Sequence, residues 1–379
     1  MNIRIANEID DPFLKEEWER LETETDVFPQ STYHWCATWW KHLAGRRKLH
    51  VVMVLDEDGK ALGIAPLFIE RHFGIAIIHS FPVHFSDFYT FILMRRGAMQ
   101  EIMGAIIDYL LSNRLWQWVL LEQVVENDIF AQYLIERKFL RKRMTGVVTV
   151  DLSGLDWDKY LLSLNINFRR NIRNRMRKIN AQFNPTLCII SDWHKFEHIF
   201  EGMVHMHNRR WQDDVVPSKG SIELKCWKEA MRKQFDKCYM VYYQLEFDGK
   251  PVAYRLSFIK DGIYYDWHIG FDPEYQKYHV GQMIMAFIII HLFEKGISKI
   301  NFMAGEYDWK LDWSPTRKSY SICQFSSPSN NIAALVLNTY HHYLRDKLKI
   351  IYHRLMEFKI LRALSRKTIL LKQKISGLR

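Results

Sequence analysis

No CxxC pair and no cysteine–histidine spacing of a metal site occur anywhere in the 379 residues; the five cysteines, Cys36, Cys188, Cys226, Cys238 and Cys323, are scattered. This argues against a disulfide framework and a zinc module, and it fits a reducing cytoplasm. The first residues, MNIRIANEIDDPF, lack the apolar core of a signal peptide, and the longest apolar run, MIMAFIIIHLF from Met283 to Phe293, is too short to cross a bilayer. The expectation is a cytoplasmic protein, soluble or peripheral on the inner face of a membrane. Missing as well are a G-x-S-x-G elbow, an HExxH pair, a Walker loop and any paired nucleophile and base, so hydrolase, metalloprotease and NTPase readings have little support.

A chain of this length with 48% hydrophobic residues buries a large core and favours two or three domains. Its net charge of +10 is unevenly placed: from Leu335 to Arg379 there are 11 lysines and arginines against two acids, Asp346 and Glu357. Leu344, Leu348, Ile351, Leu355 and Phe358 share one helical face there, so 329–379 reads as a basic amphipathic helical tail. Such a tail would dock on an anionic membrane surface or pack on the body of the protein with its basic face in water.

Along residues 1–150 the patterns alternate: a strand near IRIA, helices through LKEEWERLE and YHWCATWWKHL, and strands LHVVMVLD and ALGIAPLFIER joined by the turn EDGK. Short strands follow around Ile75 to His79 and Phe88 to Leu93, then a helix over Ala98 to Leu111, a strand WQWVLLE, a helix over Asn127 to Lys138 and a strand GVVTVDL. The second part, 151–328, opens with one long basic helix, DWDKYLLSLNINFRRNIRNRMRKINAQF, then strand TLCIIS and helices from Asp192 to Trp211 and from Ile222 to Phe235. Turn signals DGK and KDG divide the next stretch into three antiparallel strands, followed by a helix from Gly281 to Lys295 and the strand SKINFM. The hairpin after EDGK and the one after FDGK suggest one α/β (α+β) fold occurring twice.

FDPEYQKYHVGQMIM leads from a strand through a loop to a helix N-terminus, where free N–H groups and the helix dipole attract an anion. Gln276, Lys277, Tyr278, His279, Val280 and Gly281 can be set against the Q/R-x-x-G-x-G/A loop that binds the coenzyme A pyrophosphate in GNAT acetyltransferases. Gln276 and Gly281 match, and His279 stands where the first glycine should. From these residues alone a plain strand-to-helix turn serves equally well.

The ordered series YHWCATWWKHLAG, DEDGKALGIAPLFIER, MHNRRW, GKPVAYRLSF, YYDWHIGFDPEYQKYHVGQMIM and AGEYDWKLDW, spanning Phe28 to Phe325, resembles the CelD-like acetyltransferases, a GNAT branch related to the Fem peptidoglycan aminoacyltransferases. The resemblance implies two GNAT-like domains in tandem with mixed, mainly antiparallel sheets, the second holding acyl-CoA as co-substrate without a metal. It also implies that Lys310 falls where Fem-type enzymes carry a lysine at the reaction centre.

A lysine ammonium framed by Tyr307, Trp309 and Trp313 would stabilise the oxyanion of a tetrahedral intermediate, with Asp308 or Glu306 orienting it. Acyl transfer also needs a base, for which Asp266, His268, Glu306 and Asp308 are candidates, Asp308 and His268 foremost. His207, Arg210 and Trp211 in MHNRRW would contact an acceptor. The basic helix suits an anionic partner, and the resemblance to Fem-related enzymes, whose corresponding helix lies beside the cleft, implies that Arg169, Arg170 and Arg173 hold a phosphate of donor, lipid-linked acceptor or tRNA. The plainer readings are a solvated aromatic turn, a satisfied strand histidine and a solvated basic helix.

The expected activity is N- or O-acyl transfer from acyl-CoA, by direct attack, onto an amine or hydroxyl of a cell-envelope saccharide or a related small acceptor. The alternatives are a Fem-like aminoacyl-tRNA-dependent transferase, disfavoured by the lack of a long coiled-coil insertion, and a non-catalytic GNAT scaffold that binds nucleic acid or membrane.

Overall fold

The computed structural model describes residues 1–327, apart from 26, 73, 82–92, 95–96 and 211–220, together with residue 336. Residues 1–327 form one compact unit. The tail expected over 329–379 and most of the strand expected over Phe88 to Leu93 lie outside the described residues.

The first half runs β1 (Asn2–Ala6), α1 (Pro12–Glu24), α2 (Tyr33–Leu43), β2 (Lys48–Leu49), β3 (Val51–Leu55), β4 (Ala61–Ala65), β5 (Leu67–His72), β6 (Ile75–Ser80), β7 (Leu93–Met94), α3 (Met99–Ser112), β8 (Trp118–Val125), α4 (Ile129–Glu136) and β9 (Leu140–Asp151). The second runs α5 (Trp157–Ser163), α6 (Ile166–Gln182), β10 (Pro185–Ile190), α7 (Trp193–Arg210), α8 (Ile222–Asp236), β11 (Met240–Phe247), β12 (Lys250–Lys260), β13 (Ile263–Phe271), α9 (Val280–Glu294), β14 (Lys299–Ala304), α10 (Asp308–Asp312) and β15 (Tyr320–Ser326).

The long basic helix expected after residue 151 is two helices. Leu164 is extended, and the Asn165 side chain caps α6 by accepting from the amides of Asn167 and Phe168, which stops α5 and restarts the chain one residue later.

An eleven-stranded mixed sheet has the order β10-β11-β12-β13-β14-β9-β15-β8-β6-β5-β2, and a smaller sheet the order β1-β3-β4-β7. Pro66 separates β4 from β5, so one run of sequence serves both sheets. The expected repeat is present, and its closing strands are exchanged: β9 of the first half pairs with β14 of the second, whereas β15 of the second pairs with β8 of the first. β9 and β15 pair with each other at the centre.

Both halves also share a local distortion. Gln123, between Leu121 and Val124 of β8, has φ 59°, and Met303, between Asn301 and Ala304 of β14, has φ 58°. Each sits at a bulge in the central strand, where one residue takes the left-handed conformation.

The site is placed by a parting of strands. β13 and β14 pair in parallel only where Ile263, Tyr264 and Tyr265 face Lys299, Ile300 and Asn301. Beyond that, β13 stays with β12 while β14 turns toward β9, which opens a V at their C-terminal ends. Helix α9 packs behind it, carrying eight buried residues, among them Val280, Met283, Ile284 and Ile288; α9 is apolar almost all round because β11, β12 and β13 contact it as well as α5 and α6.

Candidate functional site

Two cavities meet in this V. One, of about 280 Å³, is lined by Arg210, Tyr254, Arg255, Gly270, Phe271, Gln276, His279, Val280, Gly281, Gln282 and Trp309, among others. The second, of about 480 Å³, is lined by His207, Asp266, Trp267, His268, Met303, Ala304, Tyr307, Trp309 and Lys310, among others. Ile269 and Trp309 belong to both, so they form the shared wall.

The loop before α9 builds the first cavity. The Asp272 carboxylate accepts from the Glu274 amide at 3.0 Å and starts the turn Pro273–Tyr278. Arg209, at the end of α7, pairs with Asp272 at 3.2 Å and Glu274 at 2.9 Å and ties the helix end to this loop. His279 then enters the left-handed region, φ 53° and ψ 40°, and α9 begins. This explains why the related pattern has glycine there: an L side chain in that conformation costs about 1 kcal/mol. At Gly281 a Cβ would meet the Phe271 ring at 3.4 Å, an ordinary contact.

Of the six residues expected to hold phosphates, Gln276, His279, Val280 and Gly281 line the cavity, and Lys277 and Tyr278 do not. The Tyr278 ring packs edge-on against Phe183 with centroids 5.0 Å apart, and Lys277 lies over Tyr278. From the basic helix α6, the arginine that reaches the loop is Arg175, which bonds the Gln282 side chain. Arg169 donates to the Leu162 carbonyl at 2.7 Å, Arg170 and Arg173 are exposed, and none of the three lines either cavity. Burial and the neighbouring Arg175 guanidinium lower the His279 pKa, so its imidazole is uncharged at neutral pH.

The second cavity is built on the bulge in β14. The Asn301 side chain accepts from the Met303 amide at 2.9 Å, and the left-handed Met303 turns its carbonyl and that of Ala304 toward α10. Both carbonyls accept from the Lys310 ammonium, at 3.3 and 2.6 Å. Lys310 is 5% exposed, and its Nζ lies 5.4 Å from the Tyr307 ring centre and 5.6 Å from that of Trp309. A buried ammonium needs such acceptors to remain charged.

His207, Asp266, His268 and Tyr307 line this cavity with Lys310, whereas Arg210 faces the other cavity and stacks over Phe271. Trp211 lies outside the described residues. Glu306 and Asp308 do not line the cavity: Glu306 engages Arg143 and accepts from the Ser319 hydroxyl at 2.8 Å, and Asp308 is exposed in the first turn of α10. Trp313 is fully buried against Phe168 rather than framing Lys310.

The two histidines are uncharged at neutral pH. Burial, with His207 adding repulsion, lowers the His268 pKa to about 3. Burial lowers that of His207 to about 4 against an opposing hydrogen bond to the Ile269 backbone. His207 Nδ1 lies 2.7 Å from the Tyr254 hydroxyl, and that ring lies flat over Gly270, where a Cβ would come within 2.4 Å of it.

Arg255 was not among the expected site residues. Its guanidinium, 2% exposed, pairs with Asp266, donates to the Gly281 carbonyl at 3.0 Å and lies 5.2 Å from the Trp309 ring centre. It therefore joins the loop of the first cavity to a wall of the second. The one available signal was an arginine inside the apolar run PVAYRLSF.

No curated protein matches the chain by sequence. Among solved structures, FemX is similar over 86% of this chain and 97% of its own, at 10% identity and TM-score 0.59. The C-terminal DUF2156 domain of a protein described as a lysylphosphatidylglycerol synthetase from Agrobacterium fabrum is similar over 86% and 96%, at 11% identity and TM-score 0.53. L-PGS from Bacillus licheniformis is similar over 89% and 97%, at 10% identity and TM-score 0.51. At such identities the likeness concerns the fold alone. Residues 167–311 match the family model of the Acetyltransferase (GNAT) domain, a span that contains every residue lining the two cavities.

Proposed function

We propose that the chain is an acyltransferase of the CelD-like branch that moves an acyl group from acyl-CoA onto an amine or hydroxyl of a cell-envelope saccharide or a related small acceptor. The observation that carries this reading is the meeting of a loop cavity at a helix N-terminus with a cavity holding a buried ammonium, across the shared wall of Trp309 and Ile269. A thioester laid along that wall has its phosphates at the α9 N-terminus and its carbonyl near Lys310.

In this mechanism the acceptor's nitrogen or oxygen attacks the thioester carbonyl carbon, and the π electrons move to the oxygen. Lys310 donates a hydrogen bond to that oxyanion. The C–S bond then breaks and the sulfur leaves with its electron pair. His268, neutral and lining the cavity, accepts the proton lost by the acceptor and returns it to the CoA sulfur. Its depressed basicity makes taking that proton uphill and passing it to the sulfur downhill. The rings of Trp267, Tyr307 and Trp309, with the polar edge of His207, suit the CH faces and hydroxyls of a sugar.

The test is mass spectrometry of cell-envelope extracts made with and without the active protein, fed a labelled acyl precursor, with and without RNase treatment. A protein-dependent adduct that survives RNase supports the reading. RNase-sensitive labelling would assign an aminoacyl-tRNA donor instead, and no protein-dependent adduct would favour a non-catalytic scaffold.

A further inference from the structure

The eleven-stranded sheet ends on the two-residue strand β2, and the hollow at this edge is lined by four cations, Arg46, Arg47, Lys48 and Arg71, and one acid, Glu70. Lys48 lies directly across from Ile69 in the antiparallel β2–β5 pair, and alternation along β5 puts Arg71 on that same face. The acid, Glu70, is engaged by Arg47 at 3.5 Å and His72 at 3.3 Å. Arg47 is further committed to the Leu43 and Ala44 carbonyls at the end of α2. Arg46, Lys48 and Arg71 are exposed and have no ion-pair partner among the described residues.

Those three cations line a hollow of about 390 Å³ together with Ile69 and the Arg47–Glu70 pair. Lys48, Ile69 and Arg71 continue into a second hollow of about 410 Å³, walled by Ile5, Leu49, Tyr109 and Leu115. The apolar wall is open to solvent at Leu115, which is 58% exposed. Next to it Arg114 is exposed and without an ion-pair partner among the described residues. A charged edge also deters strand pairing. That role does not call for an exposed leucine beside the charges.

We infer that this face, Arg46, Lys48 and Arg71 with Leu115, is a docking surface for anionic phospholipid, the cations meeting headgroup phosphates and the leucine entering the outer acyl region. Charge complementarity selects the phosphates, and the apolar wall selects a lipid over a free phosphate. The surface is separate from the acyl-transfer cavities and does not depend on their assignment.

The experiment uses the full chain and phosphatidylglycerol-containing vesicles at low salt. The triple variant Arg46→Gln, Lys48→Gln, Arg71→Gln is expected to lower vesicle partitioning by about a hundredfold, because each charge contributes about fivefold. The control triple Lys15→Gln, Arg232→Gln, Lys299→Gln, which keeps the same net charge, is expected to lower it far less. Vesicles should slow amide hydrogen exchange at residues 46–50 and 111–116, and Leu115→Ser should weaken binding with unchanged circular dichroism. Equal losses in the two triple variants, or no added protection at 46–50, would overturn the assignment. Competition by millimolar inorganic phosphate with no effect of Leu115→Ser would assign a free-phosphate site instead, and self-association of the test variant with normal vesicle binding would reduce the charges to edge protection.

Discussion

The Arg255 guanidinium closes on the Asp266 carboxylate inside the wall between the two cavities, with side-chain exposures of 3% and 0%. Removing one partner strands the other's charge away from water. Arg255→Leu should therefore destabilise the fold by about 3 to 5 kcal/mol, and the double change Arg255→Met, Asp266→Leu should recover most of that loss. Urea unfolding of the three proteins measures both. A loss below 1 kcal/mol for Arg255→Leu would mean that the pair does not hold the wall.

The cavity histidines give a pH dependence with a defined sign. Their folded pKa values, about 3 for His268 and about 4 for His207, lie below the unfolded value, so the unfolded chain binds more protons through the interval between them. The stability they contribute is fully present above the unfolded value near 6.5 and is lost as pH falls toward 4 and 3. Between pH 7 and pH 5 the wild type should lose about 2 kcal/mol more than His268→Gln in denaturant titrations. Equal losses in the two proteins would place a water-exposed imidazole at this position.

The sequence made some of this arrangement readable and hid the rest for physical reasons. Alternation and turn signals were enough for the repeated hairpins, and the two tandem repeats are present. The exchange of β9 and β15 is a matter of pairing partners, which neither strand's own pattern encodes. Lys310, His207, Asp266, His268 and Tyr307, singled out in the sequence at strand ends and a helix end, line one cavity. On α6, Phe168, Ile172 and Ile179 mark the buried face, yet a helix with arginines on every other side does not reveal that Arg175, rather than Arg169, Arg170 or Arg173, touches the loop. Arg255 stayed hidden because β12 is buried on both faces from Val252 to Phe258, and a strand with no wet side shows no contrast between inward and outward positions.

At the loop, size and conformation can be tested separately. Gly281→Ala should leave CoA binding within about threefold, since its Cβ would meet Phe271 at an ordinary 3.4 Å, whereas Gly281→Glu should abolish binding by putting a carboxylate where the phosphates enter. His279→Gly should stabilise the fold by up to about 1 kcal/mol by relieving the left-handed backbone, less what Gly gains in unfolded-state entropy. Calorimetric CoA titrations and thermal melts give both answers. Unchanged affinity in Gly281→Glu would move the donor away from this loop.

Lys310, held by the Met303 and Ala304 carbonyls, is the group proposed to stabilise charge that develops during acyl transfer. The most direct measurement is transfer of a labelled acyl group from acyl-CoA to a cell-envelope extract by purified wild type, Lys310→Ala and Lys310→Arg, with donor affinity measured alongside. Lys310→Ala should lower the rate by about a hundredfold or more, roughly 3 kcal/mol, while donor affinity stays nearly unchanged, because the charge it meets exists mainly in the transition state. Lys310→Arg should rescue poorly, since a planar guanidinium cannot sit where a compact ammonium meets two carbonyls. Transfer by Lys310→Ala at the wild-type rate would contradict the account.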